Sequence, residues 1–184
     1  LDLTNLEWVG GDLQIRNNIV LASLDGLENL VSVGGDLEIR ANDTLESLGG
    51  LSGLVSVGGD LVVQMNDALA DMNGLQNLTS LGGGLSISSN PELLNVDDLD
   101  GLTSINGDLF VSNNGNLTDL DGLENVTSSV GNLFVTNNPS IVDIDGLGNI
   151  TGVSWNLRIS SNDLLTNLDA LNGITSVHDL IIGY

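Results

Sequence analysis

The hydrophobic and polar positions of this chain repeat with a period of 24 residues. A short segment of the form Asp-Leu-x-Ile returns seven times, and an eighth copy, His178-Asp179-Leu180, arrives one residue early and then stops. Such a period is typical of a solenoid, in which each unit buries its apolar face against its neighbours. The first leucines of the seven regular copies are Leu13, Leu37, Leu61, Leu85, Leu109, Leu133 and Leu157.

The apolar spacing changes once within each unit. In Asp-Leu-x-Ile the apolar residues alternate, as they do in a half-buried β-strand. After the strand the apolar period lengthens to three, as at Leu45, Leu48, Leu51, Leu54 and Val57. We therefore predict short parallel strands on one face of each coil and short helical or 3-10 turns on the opposite face.

An asparagine follows every strand at the same position. A buried amide there can satisfy backbone groups where the chain bends, and it can bond to the next coil. We predict a structural asparagine ladder, in which each buried group left unsatisfied by a substitution costs roughly 1–3 kcal/mol. Its members are Asn18, Asn42, Asn66, Asn90, Asn114, Asn138 and Asn162.

Asp-Gly pairs mark a second fixed point of the unit. Asp25 with Glu28, and Asp121 with Glu124, have the spacing of a capping box, and Asn73 with Gln76 is a looser version. We predict that this aspartate column caps a short turn at its N-terminus. Glycine pairs then fit a tight corner that leads back into the strand. The aspartates of the column are Asp25, Asp97, Asp121, Asp145 and Asp169.

The unit L-x-x-V-G-G-D-L-x-I-x-x-N resembles the repeat of leucine-rich-repeat proteins, and more closely their receptor L-domain variant. The resemblance covers the whole chain. It implies an α/β solenoid in which residues 1–184 form one domain of about seven repeats and a partial terminal coil. That variant occurs in growth-factor receptor ectodomains and in secreted bacterial surface proteins. Because this chain has no cysteine, and so no cysteine caps, we do not carry growth-factor recognition over.

Charge and composition exclude several partners. The chain has 25 acidic and 3 basic residues, and nucleic acid binding needs clustered lysine and arginine. No apolar run approaches the length that spans a bilayer, so we expect no membrane insertion. The 41% of hydrophobic residues suffices for an aliphatic core. Since the sequence starts without Met or a signal peptide, we expect it to be part of a longer protein.

The side chains that flank the inward isoleucine of each strand point outward and differ from coil to coil. They include all three basic residues and both phenylalanines of the chain. Phe110 and Phe134 fall on adjacent coils beside Arg158, so they could form a contact patch for a protein or a glycan. Stacking of the rings could equally serve only to stiffen the sheet. The ligand-contact candidates are Arg16, Arg40, Phe110, Phe134 and Arg158.

Acidic residues form further columns, some before the strands and some at the turns. Stacked carboxylates one coil apart repel each other, and Ca²⁺ could relieve the repulsion with oxygen ligands alone. Capping would explain the Asp-Gly column without any metal. No other cofactor is expected. The densest cluster, which is the candidate calcium site, consists of Asp119, Asp121, Asp143 and Asp145.

A threonine recurs once in each of the later coils, as at Thr79 and Thr103. A regular threonine column raises the alternative of an ice-binding array, although a solvated β-branched edge is the simpler interpretation. Some of these threonines complete Asn-x-Thr sequons, which could carry glycans in a eukaryotic source. Asn42 also matches, but the ladder should bury it. The candidate glycosylation sites are Asn77, Asn116, Asn125 and Asn149.

The chemistry of the chain does not indicate an enzyme. It has a single histidine, His178, and its carboxylate pairs recur in every unit, as architectural residues do. The first unit is an ordinary repeat and the last is short and apolar, so neither end has a polar cap and both should expose core and strand edge.

We therefore predict a non-catalytic scaffold located outside the cell or on its surface. It would act as an adhesion module or as a filament subunit that associates end to end. The alternative is a discrete module that binds a protein or a glycan through the strand face.

Overall fold

The computed structural model describes residues 3–183 as a parallel β-solenoid of about seven turns. Each turn is a coil of 24 residues, and the strands of successive coils pair in register, with Leu13 opposite Leu37 and Leu37 opposite Leu61. Residues 1, 2 and 184, which the sequence places in the same 1–184 unit, lie outside the described part.

Thirteen strands occur in the described residues, and they alternate between two and four or five residues in length for most of the chain. They are β1 (Trp8–Val9), β2 (Leu13–Arg16), β3 (Ser32–Val33), β4 (Leu37–Arg40), β5 (Ser56–Val57), β6 (Leu61–Gln64), β7 (Ser80–Leu81), β8 (Leu85–Ser88), β9 (Ser104–Ile105), β10 (Leu109–Ser112), β11 (Leu133–Thr136), β12 (Asn156–Ser160) and β13 (Asp179–Gly183).

The longer strands form one parallel sheet of eight, in the order β13-β12-β11-β10-β8-β6-β4-β2. This large sheet contains the Asp-Leu-x-Ile segments, as the alternating pattern predicts. Inward positions such as Leu61 and Val63 are buried, while Val62 and Gln64 between and after them face outward. The predicted strand face is therefore confirmed.

A second parallel sheet, which the sequence analysis missed, contains β1, β3, β5, β7 and β9. Its strands have only two residues each, so alternation leaves no recognisable pattern in the sequence. After β9 the pairing continues as a single bridge between Val130 and Val153. The strands of this sheet end directly before the glycine pairs, in a part of the unit for which the sequence predicted a corner and no strand.

The side away from the large sheet consists of 3-10 helices and turns. No α-helix occurs between residues 3 and 183. The first and third coils have a simple turn in place of the 3-10 helix, with φ of 101° at Gly26 and 112° at Gly74. The 3-10 helices are Gly49–Leu51, Asp97–Leu99, Asp121–Leu123, Asp145–Leu147 and Asp169–Gly173.

The inward side chains of all coils form one continuous aliphatic core. Leu37 and Ile39 of β4 have no exposed surface, and neither do Leu45, Leu48 and Leu51 at the spacing of three. Burial of one such side chain contributes roughly 1.5–3 kcal/mol, and stacking is what makes the burial possible.

Glycine lets the coils approach closely at the 3-10 helices. A Cβ on Gly50 would collide with the carbonyl oxygen of Leu24 in the preceding coil, and a Cβ on Gly122 would collide with that of Val96. Glycine is therefore needed for the spacing between coils at Gly50, which follows Gly49, and at Gly122 of the Asp121-Gly122 pair.

The final coil is one residue short. Leu180 nevertheless pairs with Leu157 in the sheet, so the missing residue is absorbed before β13. Asn156 Oδ1 is buried there and has no hydrogen-bond partner among the described residues. Leu180 and Ile182, which are in register with the inward Leu157 and Ile159, are 59% and 49% exposed, so the core is open at this end of the described chain.

Candidate functional site

The asparagine ladder fixes the end of each strand in the large sheet. Asn66 is typical: its backbone N–H and its Nδ2 both donate to Oδ1 of Asn90, at 3.1 and 3.3 Å. Its Nδ2 also donates to the carbonyl oxygen of Ile39 at 3.0 Å. Asn18 is exposed and Asn162 half-buried, because each lies at an end of the stack. The predicted ladder is present, and its fully buried members are Asn42, Asn66, Asn90, Asn114 and Asn138.

The residue before each ladder asparagine has a left-handed backbone, with φ between 53° and 59°. This conformation turns the chain sharply out of the strand, and asparagine tolerates it better than other non-glycine residues do. Sequence analysis missed the feature, although three of the seven residues are asparagines and the resulting Asn-Asn pairs are its signal. The seven residues are Asn17, Ala41, Met65, Ser89, Asn113, Asn137 and Ser161.

The aspartates that precede the strands form a second ladder. Asp12 Oδ1 accepts the backbone N–H of Asp36 at 3.0 Å, and Asp36 Oδ1 accepts that of Asp60 at 2.8 Å. Asn132 continues the column by donating both its N–H and its Nδ2 to Asp108 Oδ1, at 2.7 and 3.0 Å. We call this the strand-entry ladder. Sequence analysis treated these aspartates only as repelling carboxylates.

The outer face of the large sheet changes chemistry along the stack. In the first coils Arg16 and Arg40 both lie near Glu38, at 3.4 and 3.9 Å. The two arginine side chains are 46% and 44% exposed, so these ion pairs add little to stability. Two of the five ligand-contact candidates thus form one polar cluster with Glu38.

The two phenylalanines lie farther along the same face. The ring centroids of Phe110 and Phe134 are 5.0 Å apart and the rings are tilted by 56°. Arg158 pairs with Phe134 on the next strand, and its Nε donates to Ser160 Oγ at 3.1 Å. The structure brings these three candidates together on adjacent coils, as the spacing predicts, and it separates them from Arg16 and Arg40.

A depression of about 250 Å³ lies between these two clusters. Residue 84 is a glycine where the strand-entry ladder has Asp60 in the coil before and Asp108 in the coil after. Ser86 is a small residue where the neighbouring strands have Val62 and Phe110. We call the depression the Gly84 notch. Sequence analysis did not predict it, although the change from GGD to GGG is visible in the repeat.

The predicted capping by the Asp-Gly column is wrong. No side chain caps any of the 3-10 helices at the N-cap position. The N–H of the column residue is instead accepted by a side chain two residues earlier, as in Asp121 N–H to Asp119 Oδ1 and Asp145 N–H to Asp143 Oδ1, both 3.2 Å. A turn this short places its first free N–H within reach of an Asx side chain.

The predicted capping boxes are also wrong in detail. Glu28 does reach back, but its carboxylate accepts the N–H of Gly26, at 2.9 Å, and not that of Asp25. Gln76 does the same for Gly74 at 2.8 Å. These two backbone bonds occur in the coils where glycine has a positive φ. The bond from Gly26 is the main reason why the pKa of Glu28 is lowered.

The acidic residues beside the 3-10 helices affect each other's protonation. Partial burial is the main cause that raises the pKa of Asp98 and that of Asp121. Repulsion from Asp71 adds to the shift at Asp98, and repulsion from Asp119 and Asp143 adds to it at Asp121. Within residues 3–183, no three acidic or histidine side chains are arranged to hold a metal ion. The calcium site at Asp119, Asp121, Asp143 and Asp145 stays a prediction.

Three of the candidate glycosylation sites use their amide nitrogen within the stack. Nδ2 of Asn77, Asn125 and Asn149 donates to a carbonyl oxygen of the preceding coil, at 2.8, 2.9 and 2.7 Å. Nδ2 of Asn116 lies 3.5 Å from a Glu92 carboxylate oxygen, a much weaker contact. Of the four candidate sites, Asn116 therefore has the side-chain amide with the weakest hydrogen bond to the stack.

The threonine column bonds along the stack too. Thr79 Oγ1 donates to the carbonyl oxygen of Val55, and Thr103 Oγ1 to that of Thr79, both at 3.1 Å. These hydroxyls sit at the start of the small sheet and tie its coils together. Ice binding by this column stays a prediction.

Comparison with protein families, with curated proteins and with solved structures found no match to this chain. No helix in the described residues is long and apolar enough to cross a membrane.

Proposed function

We propose that this protein is a non-catalytic binding scaffold that acts outside the cell or on its surface, through the outer face of the large sheet. The observation that carries the proposal is the contrast between the two sides of that sheet. Inward positions are aliphatic and buried in coil after coil. Outward positions run from the Arg16–Glu38–Arg40 cluster, through small residues, to the Phe110–Phe134 pair.

A stacked sheet suits such a role because it holds its outward side chains in a fixed array. Adjacent strands repeat the same register, the asparagine ladder ties one end of the strands, and the strand-entry ladder ties the other end except where it is interrupted at Gly84. A partner would thus meet a preorganised surface and lose little affinity to ordering of the scaffold. Exposed aromatic and arginine side chains are the types enriched at binding hot spots.

Binding to an array of peptides and glycans tests the proposal. We expect the labelled chain to bind specific spots, and we expect Phe110→Ala with Phe134→Ala to abolish those signals. Trp8→Ala is the matched control, because Trp8 is 67% exposed but lies in the small sheet. An array without signal, or signals that the double variant retains, would contradict the proposal.

We further propose that the repeat is a receptor L-domain-like variant of the leucine-rich repeat. The asparagine ladder and the D-L-x-I strand support this view. The short 3-10 helices and the second sheet of two-residue strands distinguish this chain from an α/β arrangement with α-helices.

Assembly into a filament is a second candidate function. At one end of the described chain, Leu180 and Ile182 of β13 are 59% and 49% exposed. At the other end, Leu13 and Ile15 of β2 are only half-buried, whereas the same positions of the next coil are fully buried. An adjoining coil would cover these side chains, whether it belongs to the same polypeptide or to another copy. Negative-stain microscopy at rising concentration should show end-to-end rods, and uniformly single particles would contradict this role.

A further inference from the structure

We propose that the Gly84 notch binds the acetamido group of an N-acetylhexosamine. This inference rests on the proposed function and deepens it, since it names a ligand class for one part of the outer face.

The notch is a missing member of the strand-entry ladder. Asp60 Oδ1 accepts the N–H of Gly84 at 2.6 Å, as the ladder requires. In the other direction the ladder stops, because Gly84 has no side chain to accept the N–H of Asp108. The position between these two residues therefore offers a carboxylate acceptor on one side and a backbone donor on the other.

An amide is the group that fills this position elsewhere in the same ladder. Asn132 Nδ2 donates to Asp108 Oδ1 at 3.0 Å, and Asn132 Oδ1 accepts the N–H of Asn156 at 3.1 Å. A ligand amide in the notch can do the same, with its N–H toward the Asp60 carboxylate and its C=O toward the N–H of Asp108. A free carboxylate would fit less well, since Asp60 and Asp108 would repel it.

The surroundings of the notch favour a sugar as the carrier of that amide. Val62 and Phe110 form its apolar walls, and Ser86 contributes a hydroxyl. An aromatic ring can stack on the apolar face of a pyranose, while carboxylate oxygens accept its hydroxyl protons. Asp60 and Asp108 form no ion pair within the described residues, so their outer oxygens are open to such donors.

Chemical-shift titration of the full chain with N-acetylglucosamine tests the inference. We expect saturable shifts at the amides of Gly84, Ser86, Gly107 and Asp108. Glucose, which lacks the acetamido group, should bind about tenfold more weakly, a difference of about 1.4 kcal/mol. Equal shifts with both sugars, or shifts spread over the whole chain, would overturn the proposal.

Two variants fill the notch from within. Gly84→Asn supplies the chain's own amide and should abolish the saturable shifts. Its Cβ would lie 2.6 Å from the Asp108 carbonyl oxygen, which accepts the N–H of Leu85, so a melting curve must first show that this variant folds. Ser86→Phe fills the notch from the neighbouring column and should have the same effect. Gly11→Asn is the control, because no atom lies within 4 Å of a Cβ at Gly11. If folded variants of both kinds still bind the sugar, the notch is not the site.

The assignment of a ligand to the notch and the proposed function of the wider face can be tested separately. Phe134 does not line the notch, so Phe134→Ala should leave the titration unchanged. A failed array experiment with a saturable titration would overturn the Phe110–Phe134 pair as the contact surface and leave the notch assignment standing. A successful array experiment without acetamido preference in the titration would overturn the notch assignment alone.

Discussion

Asn66 donates two hydrogen bonds, from its backbone N–H and from its side-chain Nδ2, to the same oxygen of Asn90 one coil later. This pair shows how the stack is stabilised. Asn90, the acceptor, in turn donates from its own Nδ2 to the carbonyl oxygen of Val63 in the preceding coil. Each buried asparagine thus links three consecutive coils.

Replacing Asn90 by Leu should destabilise the protein strongly. The change leaves the N–H of Asn66 without its acceptor and the carbonyl oxygen of Val63 without this donor. At roughly 1–3 kcal/mol for each buried group, we expect a loss of about 3 kcal/mol or more in urea unfolding. Asn18→Leu, at the exposed end of the ladder, should cost less than about 1 kcal/mol. Equal losses for both variants would contradict a burial-dependent ladder.

The effect of a substitution at Met65 on stability should depend on how well the new residue tolerates a left-handed backbone. Met65 has φ 56° and is 40% exposed, so side-chain packing contributes little to the outcome. Met65→Asn should raise stability by about 0.5–1 kcal/mol, and the β-branched Met65→Val should lower it by about 1–2 kcal/mol. Thermal melting of the two variants measures this, and the same sign for both would refute the explanation.

A methyl group at Gly122 should force two coils apart. Its Cβ would collide with the backbone carbonyl oxygen of Val96, which cannot move without the rest of its coil. We expect Gly122→Ala to cost about 1–3 kcal/mol, in the range of overpacked cores. Gly11→Ala meets open space and should change the free energy of unfolding by no more than about 0.5 kcal/mol. An unchanged melting temperature in Gly122→Ala would show that the coil spacing adapts freely.

Mild acid should stabilise the stack at the 3-10 helices. The pKa values of Asp98 and Asp121 are raised above their ordinary value of 3.8, mainly by partial burial. The folded chain therefore binds these protons more tightly than the unfolded chain, so stability rises as pH falls through the raised pKa values. The lowered pKa of Glu28 acts in the opposite direction, since its contribution is lost at low pH.

Circular dichroism melts just above pH 4 and at pH 7 measure this effect. The increase in melting temperature at the lower pH should be smaller in the double variant Asp98→Asn with Asp121→Asn, because two of the groups that take up protons are then absent. Asp43→Asn, an exposed position outside this group, should leave the gain unchanged. If the double variant shows the full gain, the two aspartates are not its source.

The calcium hypothesis makes a separate prediction. If Ca²⁺ binds at Asp119, Asp121, Asp143 and Asp145, the melting temperature should be higher with calcium than with a chelator, because a ligand bound to the native state stabilises it. Asp143→Asn with Asp145→Asn should remove the difference. Identical melting temperatures in the unmodified chain would exclude a structural calcium ion there.

Much of the architecture follows from the repeat itself. The strand of residues 61–64 alternates in the sequence and alternates between buried and outward positions in the structure. Asn66 could be assigned a buried structural role because an amide recurs at one place in every coil. The outward position of Phe110 and Phe134 follows from the same alternation of inward and outward residues along the strand, so that part of the candidate face was predictable.

Other features depend on distances between coils, which the pattern does not contain. Asp36 looked like a repelling carboxylate, and only the position of the Asp60 N–H, 2.8 Å away, makes it a hydrogen-bond acceptor. The left-handed backbone at Met65 is not marked by an asparagine, and the strand Ser56–Val57 is too short for alternation to identify it as a strand.

The period, the inward side chains and the asparagine column can be read from the residues alone, because burial selects residue type at each inward position independently of neighbouring detail. Which atoms of those columns form hydrogen bonds depends on the distances between coils, and these are set by the fold. The break in the aspartate column at Gly84 is visible in the repeat, but its consequence is not. Position 84 becomes a candidate binding site because Asp60 and Asp108, each 24 residues away, are stacked on either side of it.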